Sequence, residues 1–194
     1  LSLTEINTNG ILNSNIEALN LNNISNNYSD YKKDNSRFIA HVGGEIEKNK
    51  YTNSLEALDL NYNKGFRLFE LDIIQTTDGI FVAAHDWNHW KKITAYNDTI
   101  PVTLKQFLSK KIFGKYTPLD MVAINAWFGE HKDASLVTDK VNDHMIFSKL
   151  FIDKTRLMME LFDKQSLDKG LKAGILSAMP SQSIINNITI KDVK

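Results

Sequence analysis

Glu70 and Asp72 stand two residues apart inside an otherwise apolar run, Leu68-Phe69-Glu70-Leu71-Asp72-Ile73-Ile74. In a strand, alternate side chains share a face, so the two carboxylates lie on one side, about 7 Å apart. Burying both is costly unless a cation or basic groups neutralise them. One hard divalent cation with oxygen ligands, Mg²⁺ or Ca²⁺, meets that need. For an isolated pair, a solvated face meets it equally well.

The residues that follow bring a histidine to the same place. Thr77-Asp78-Gly79-Ile80 predicts a tight Asp-Gly turn, and a two-residue loop joins antiparallel strands. Phe81-Val82-Ala83-Ala84-His85 then returns along the Glu70 strand. With Asp78 and Gly79 as the loop, Asp72 falls opposite His85, Cβ atoms about 5 Å apart. His41 ends an earlier β-prone run, Phe38-Ile39-Ala40-His41-Val42, followed by Gly43 and Gly44. Parallel strands of an α/β sheet present their C-terminal ends on one rim, which would gather His41, Glu70 and Asp72 there. Two histidines beside a carboxylate-held cation suit phosphodiester cleavage. One removes a proton from the attacking hydroxyl, the other gives one to the leaving oxygen, and the cation offsets phosphate charge.

The stretches Ile39-Ala40-His41-Val42-Gly43-Gly44, Thr52-Asn53-Ser54-Leu55-Glu56-Ala57, Gly65 to Gly79, and Ile80 to Asp86 resemble, in order and spacing, the glycerophosphodiester phosphodiesterase signature. That superfamily also takes in phosphatidylinositol-specific phospholipase C-like enzymes. The resemblance implies a TIM (β/α)8 barrel and metal-dependent hydrolysis, often through a cyclic phosphate. His41 and His85 would be the acid/base pair, His41 the base. Glu70 and Asp72 would be metal ligands, with Asp139, after Leu136-Val137-Thr138, as the third. Asn53, Lys140 and Trp87 are the candidate substrate contacts. A small phosphodiester or a lipid headgroup would be the substrate.

The chain departs from the pattern in several places. Val42 stands where relatives carry arginine, and Thr52 where an acid often precedes the asparagine. Many relatives place a phosphate-binding lysine two residues past the third acid. Here that residue is Val141, and Lys140 points the other way if the strand stays regular. These changes mark a divergent branch. They also motivate an alternative, a catalytically impaired binding or assembly module that retains the site.

The elements needed to hold these residues alternate. After an Asn/Ser-rich leader (1–36) with a short helix around Asn15–Leu21, residues 37–194 read as one barrel domain. Asn53 with Glu56 forms a capping box for a helix closed by Gly65. A loop carries Trp87, Trp90, His89 and Tyr96, and Thr103 starts a short helix. Thr117 and Pro118 start another, with Leu119, Val122, Ala123, Ala126 and Trp127 on its apolar face. Strands are predicted at Ser135–Thr138, Leu157–Leu161, Gly174–Ser177 and, weakly, Ile188–Ile190, with helices at Asp143–Phe151 and Gln165–Leu171. His131 and His144 fall at helix ends and read as structural. A doubly wound sheet fits the alternation as well. A complete barrel has eight strands and about 250 residues, so the barrel is expected to be incomplete at its C-terminus. An open barrel exposes edges and core, which argues for a missing C-terminal segment or a homodimer.

Composition sets outer bounds. The 194 residues hold 23 Lys plus Arg against 23 Asp plus Glu, a net charge of zero without the electrostatic footprint of nonspecific nucleic-acid binding. With no cysteine, disulfides, zinc–thiolate sites and thiol nucleophiles are excluded. No apolar run reaches the roughly 20 residues that span a bilayer. The chain begins at Leu1, which fits a removed signal peptide and a cell-envelope or secreted protein, or equally a trimmed cytoplasmic one.

Overall fold

Strand formation follows the apolar, β-branched runs. The computed structural model describes residues 34–186, beyond which the expected helix at Asn15–Leu21 and strand at Ile188–Ile190 both lie. In chain order the elements are β1 (Ile39–Ala40), α1 (Leu55–Asn63), β2 (Leu68–Gln75), β3 (Phe81–Ala83), α2 (Trp87–Ile93), α3 (Leu104–Leu108) and α4 (Met121–Glu130). Then come β4 (Ser135–Asp139), α5 (His144–Leu150), β5 (Leu157–Leu161), α6 (Lys164–Lys172), β6 (Ser177–Pro180) and α7 (Gln182–Ile185). The parallel strands lie in the order β1-β2-β4-β5-β6, and β3 runs antiparallel to the end of β2. Among the described residues the sheet does not close, as an incomplete barrel requires.

The pleat sorts the side chains into two faces. Register pairs Glu70 with Val137, Val137 with Met158 and Met158 with Ser177, so these share the inner face. Phe69, Leu71, Leu136, Leu157, Met159 and Leu161 point the other way and are fully buried. They pack with Ile124, Trp127 and Phe128 of α4 and Phe147 of α5 in the main core.

Several expectations are corrected by local hydrogen bonding. Ser54, not Asn53, caps α1, its hydroxyl accepting from the Ala57 amide, while Glu56 binds the Thr117 amide and hydroxyl. Thr117–Asp120 does not start a helix, because Pro118 and Asp120 bridge to Ser54 and Val82 and Leu119 accepts from Ala83. Asp120 caps α4 instead, which turns Val122 to solvent (76% exposed) and buries Met121 and Ile124. The aromatic loop at Trp87 is helix α2, because Asp86 accepts from the His89 amide as its cap. The Gly174–Ser177 strand shifts to β6, beginning at Ser177.

The hairpin register also differs by one residue. The Thr76 N–H donates to the Ile80 carbonyl and the Ile80 N–H to the Thr76 hydroxyl, so the loop is Thr77–Gly79, three residues rather than two. Gly79 takes φ +77, the left-handed position that closes such a loop. Ile73 therefore faces Ala83, and Asp72 falls opposite Ala84 rather than His85. A one-residue slip turns a side chain to the other face. His85 reaches the rim because β3 has already ended at Ala83 and the chain turns into α2.

Candidate active site

The period-two arrangement of β2 and its register with β4 place Asp72 opposite Asp139, with Glu70 one pleat deeper. One oxygen from each of Glu70, Asp72 and Asp139 lies within 4.8 Å of the others. Glu70 and Asp72 are buried, at 7% and 1% exposure.

Two local devices hold them, one from the backbone and one from a side chain. Beyond β1, Val42 adopts φ +53, and this turn aims its amide at Glu70 Oε2, 2.6 Å away. Gly44 (φ +93) is required there, since a Cβ would lie 2.2 Å from Asn61 Nδ2. Asn53 is fully buried. Its amide donates to Asp72 Oδ2 (3.1 Å) and its carbonyl accepts from the Asp72 N–H (3.1 Å). It therefore orients a carboxylate from inside the fold.

Lys140 leaves the regular strand. It takes φ +70 immediately after β4, so the strand's alternation stops and its ammonium swings inward. Nζ lies 3.0 Å from Asp139 Oδ2 and 3.8 Å from Asp72 Oδ1. Its hydrogen bond to Asp139 raises its pKa further. Three carboxylates and this ammonium leave two negative charges when all are ionised, the complement of a divalent ion.

Burial pushes the Glu70 carboxyl up to about 7; Asp72 and Asp139 add to the rise, against the Val42 hydrogen bond and Lys140. Glu70 Oε1 is buried without any partner. An all-carboxylate donor set with an orphaned inward oxygen fits a hard cation. Glu160 of β5, raised by burial and then by Asp139, lies nearby as a further acid.

His41 lies against this cluster, and His85 contacts Asp86 and Tyr51. His41 Nε2 lies 3.7 Å from Glu70 Oε2, and its side chain is 63% exposed. His85 Nδ1 lies 2.7 Å from Asp86 Oδ2. That carboxylate is held below its usual range chiefly by the His89 amide, and it stands within hydrogen-bond distance of His85 Nδ1. Trp87 is not brought to the histidines. It packs on Trp90 and Phe107, 5.7 and 6.3 Å away. The ring that does meet them is Tyr51, in contact with His41, His85 and His89. Sequence reasoning missed Tyr51 and the role of Asp86. For Asp86 the signal was its place directly after His85; Tyr51 gave none. His131 stacks on Trp127, and His144 is buried at the start of α5, both apart from this cluster.

The arrangement is a cluster of three carboxylates with the geometry to hold a cation, His41 beside it, at the C-terminal ends of an incomplete α/β barrel sheet. Neither a protein-family model nor a curated protein matches the chain by sequence. Solved structures do match its fold. One, assigned as a glycerophosphodiester phosphodiesterase from Galdieria sulphuraria, has a TM-score of 0.61 at 16% identity, over 80% of this chain and 68% of that one. A glycerophosphoryl diester phosphodiesterase from Parabacteroides distasonis gives 0.56 at 15%, over 76% of this chain and 56% of that one. A protein from Agrobacterium tumefaciens assigned the same activity gives 0.54 at 17%, over 80% and 68%. The chain has the glycerophosphodiester phosphodiesterase fold.

Proposed function

We propose that the protein is a metal-dependent phosphoric diester hydrolase acting on small, glycerophosphodiester-like or lipid-headgroup substrates. The observation that supports it best is a three-carboxylate cluster at one sheet end with His41 beside Glu70 and with the His85 ring joined to that of His41 through Tyr51. Glu70, Asp72 and Asp139 would hold one Mg²⁺ or Ca²⁺, which when bound supplies charge neutralisation to the phosphate.

The residues divide the remaining work. Lys140 Nζ, beside Asp72 and Asp139, offers a cationic contact for a phosphate oxygen. His41 takes the proton from the substrate hydroxyl as that oxygen bonds to phosphorus. The bond from phosphorus to the leaving alcohol breaks, and His85, protonated at Nε2, gives that proton to the departing oxygen, leaving a cyclic phosphate. Water then attacks phosphorus and gives its proton to His85, while His41 returns its proton to the substrate oxygen as the ring P–O bond breaks, which completes the hydrolysis and resets both imidazoles. Asn53 keeps Asp72 in place throughout.

Phosphorus NMR of the purified protein with glycerophosphodiesters and added Mg²⁺ or Ca²⁺ tests this. Turnover is expected, and His41→Ala or His85→Ala is expected to lower kcat by roughly 10²–10⁴-fold. Inertness of the full-length protein towards a broad phosphodiester panel overturns it. Val42, buried at 3% exposure, supplies no cation where relatives carry arginine, and it favours one second reading, a binding module. Calorimetry with cation and glycerol phosphate separates the two, since binding without hydrolysis supports the module.

A further inference from the structure

Tyr51 bridges the two imidazoles. Its ring centroid lies 5.4 Å from that of His41 at 83° and 5.2 Å from that of His85 at 89°. Both are edge-to-face contacts, the geometry that ring quadrupoles favour. His89 backs the same group, 6.0 Å from Tyr51 and 5.7 Å from His85. These contacts are made by the ring.

The backbone shows that the placement is specific. Tyr51 has φ +58, a left-handed conformation that a bulky residue rarely adopts without compensation. Compensation comes two residues on, where the Asn53 amide donates to the Val42 carbonyl and its side chain grips Asp72. The loop is thus fastened to the carboxylate cluster, and the ring is fixed relative to it.

The imidazoles need such a support. His41 is largely exposed, and its 3.7 Å approach to Glu70 is too long for a strong hydrogen bond. His85 is fixed through one nitrogen, which leaves the ring's tilt to its packing. An acid and a base acting in line on one phosphorus must keep a set separation. Misplacement by about 1 Å costs around a hundredfold in rate.

We infer that Tyr51 is a positioning residue for both histidines, setting their separation and tilt through its ring rather than its hydroxyl. This rests on the phosphodiesterase reading above. The variants are Tyr51→Phe, which keeps the ring, and Tyr51→Asn, which removes it while suiting the left-handed backbone. Kinetics of the full chain on a glycerophosphodiester with saturating Mg²⁺ are expected to show kcat down roughly tenfold to a hundredfold in Tyr51→Asn, KM little changed, and a shifted pH profile. Tyr51→Phe is expected within about threefold of wild type. Wild-type kcat and pH profile in Tyr51→Asn, or Tyr51→Phe as impaired as Tyr51→Asn, overturns the inference. Nitrogen-15 NMR of the imidazoles, assigned through His41→Gln and His85→Gln, answers independently of turnover. The titration curves of both rings are expected to change in Tyr51→Asn and to return in Tyr51→Phe; curves that match wild type in Tyr51→Asn overturn the inference. An inert wild type sinks the phosphodiesterase reading alone, and the NMR comparison still decides the role of Tyr51.

Discussion

Glu70 holds its proton in the folded protein more tightly than in the unfolded chain, because burial and two neighbouring acids oppose its ionisation. Its carboxyl rises from an ordinary value of 4.5 to about 7, so between those values the native state binds more protons than the unfolded state. Stability of the cation-free protein therefore falls as pH rises through this window and levels off above about 7. Glu70→Gln removes the penalty. At pH 8 without divalent cation, it is expected to raise stability by on the order of 1–3 kcal/mol, read by urea unfolding. Proton and cation compete for the same oxygens, so wild-type cation affinity is expected to rise across the same interval in calorimetry. Lys140→Met removes the ammonium beside Asp139 and is expected to tighten cation binding roughly tenfold while lowering phosphodiester turnover. Looser cation binding in that variant would refute the competition. The Glu70–Asp72 pair was legible because a strand's period of two needs nothing but the sequence. Lys140 was named as a contact, but its inward swing was not legible and Tyr51 was not seen at all, because both act from left-handed backbone positions that no residue type announces.

At the scale of elements, the alternation of strands and helices could be read from hydrophobic runs and caps, while registers and starts depended on distant partners. The hairpin is the clearest case. Asp78-Gly79 signals a turn, but Asp78 Oδ1 accepts from the Leu104 amide and Gly79 closes a three-residue loop, moving Asp72 away from His85. The start of α4 failed for a similar reason. Thr117 and Pro118 carry a sound local start signal, yet their segment bridges to Ser54 and Val82. The turn after β1 is the element on which the site most depends. A methyl at Gly44 would strike Asn61 Nδ2, which donates to the Gly43 and Ala57 carbonyls, and φ +93 resists any side chain. Gly44→Ala is therefore expected to cost on the order of 2–3 kcal/mol and to weaken cation binding through the Val42–Glu70 contact. Calorimetric unfolding at unchanged midpoint would contradict this account of the turn.

Across the described residues, the candidate site and a stabilising tie occupy opposite ends of the sheet, as barrel geometry favours. Glu70, Asp72, Asp139 and Lys140 lie towards the strands' C-terminal ends. At the other end, Arg156 donates to the carbonyls of Phe128, His131 and Ala134 and pairs with Asp153, tying α4 to the start of β5. The sequence indicated this division only through the family resemblance, since the positions of Arg156 and its carbonyl partners are tertiary. The two ends should act independently, because distant sites without shared partners contribute additively within about 0.5 kcal/mol. Arg156→Met takes this donor from the Phe128 and Ala134 carbonyls and is expected to lower stability by about 2–3 kcal/mol. Saturation with Mg²⁺ at a hundred times its Kd is expected to add about 2.7 kcal/mol, since the folded state alone assembles the carboxylates. That increment should be the same in Arg156→Met as in wild type and lost in Glu70→Gln, whose buried oxygen no longer carries charge. Denaturant unfolding of the three proteins with Mg²⁺ and with EDTA measures every term. An equal Mg²⁺ increment in Glu70→Gln would mean that the ion binds away from the β2–β4 rim, and the catalytic arrangement built around Glu70, Asp72 and Asp139 would fall with it.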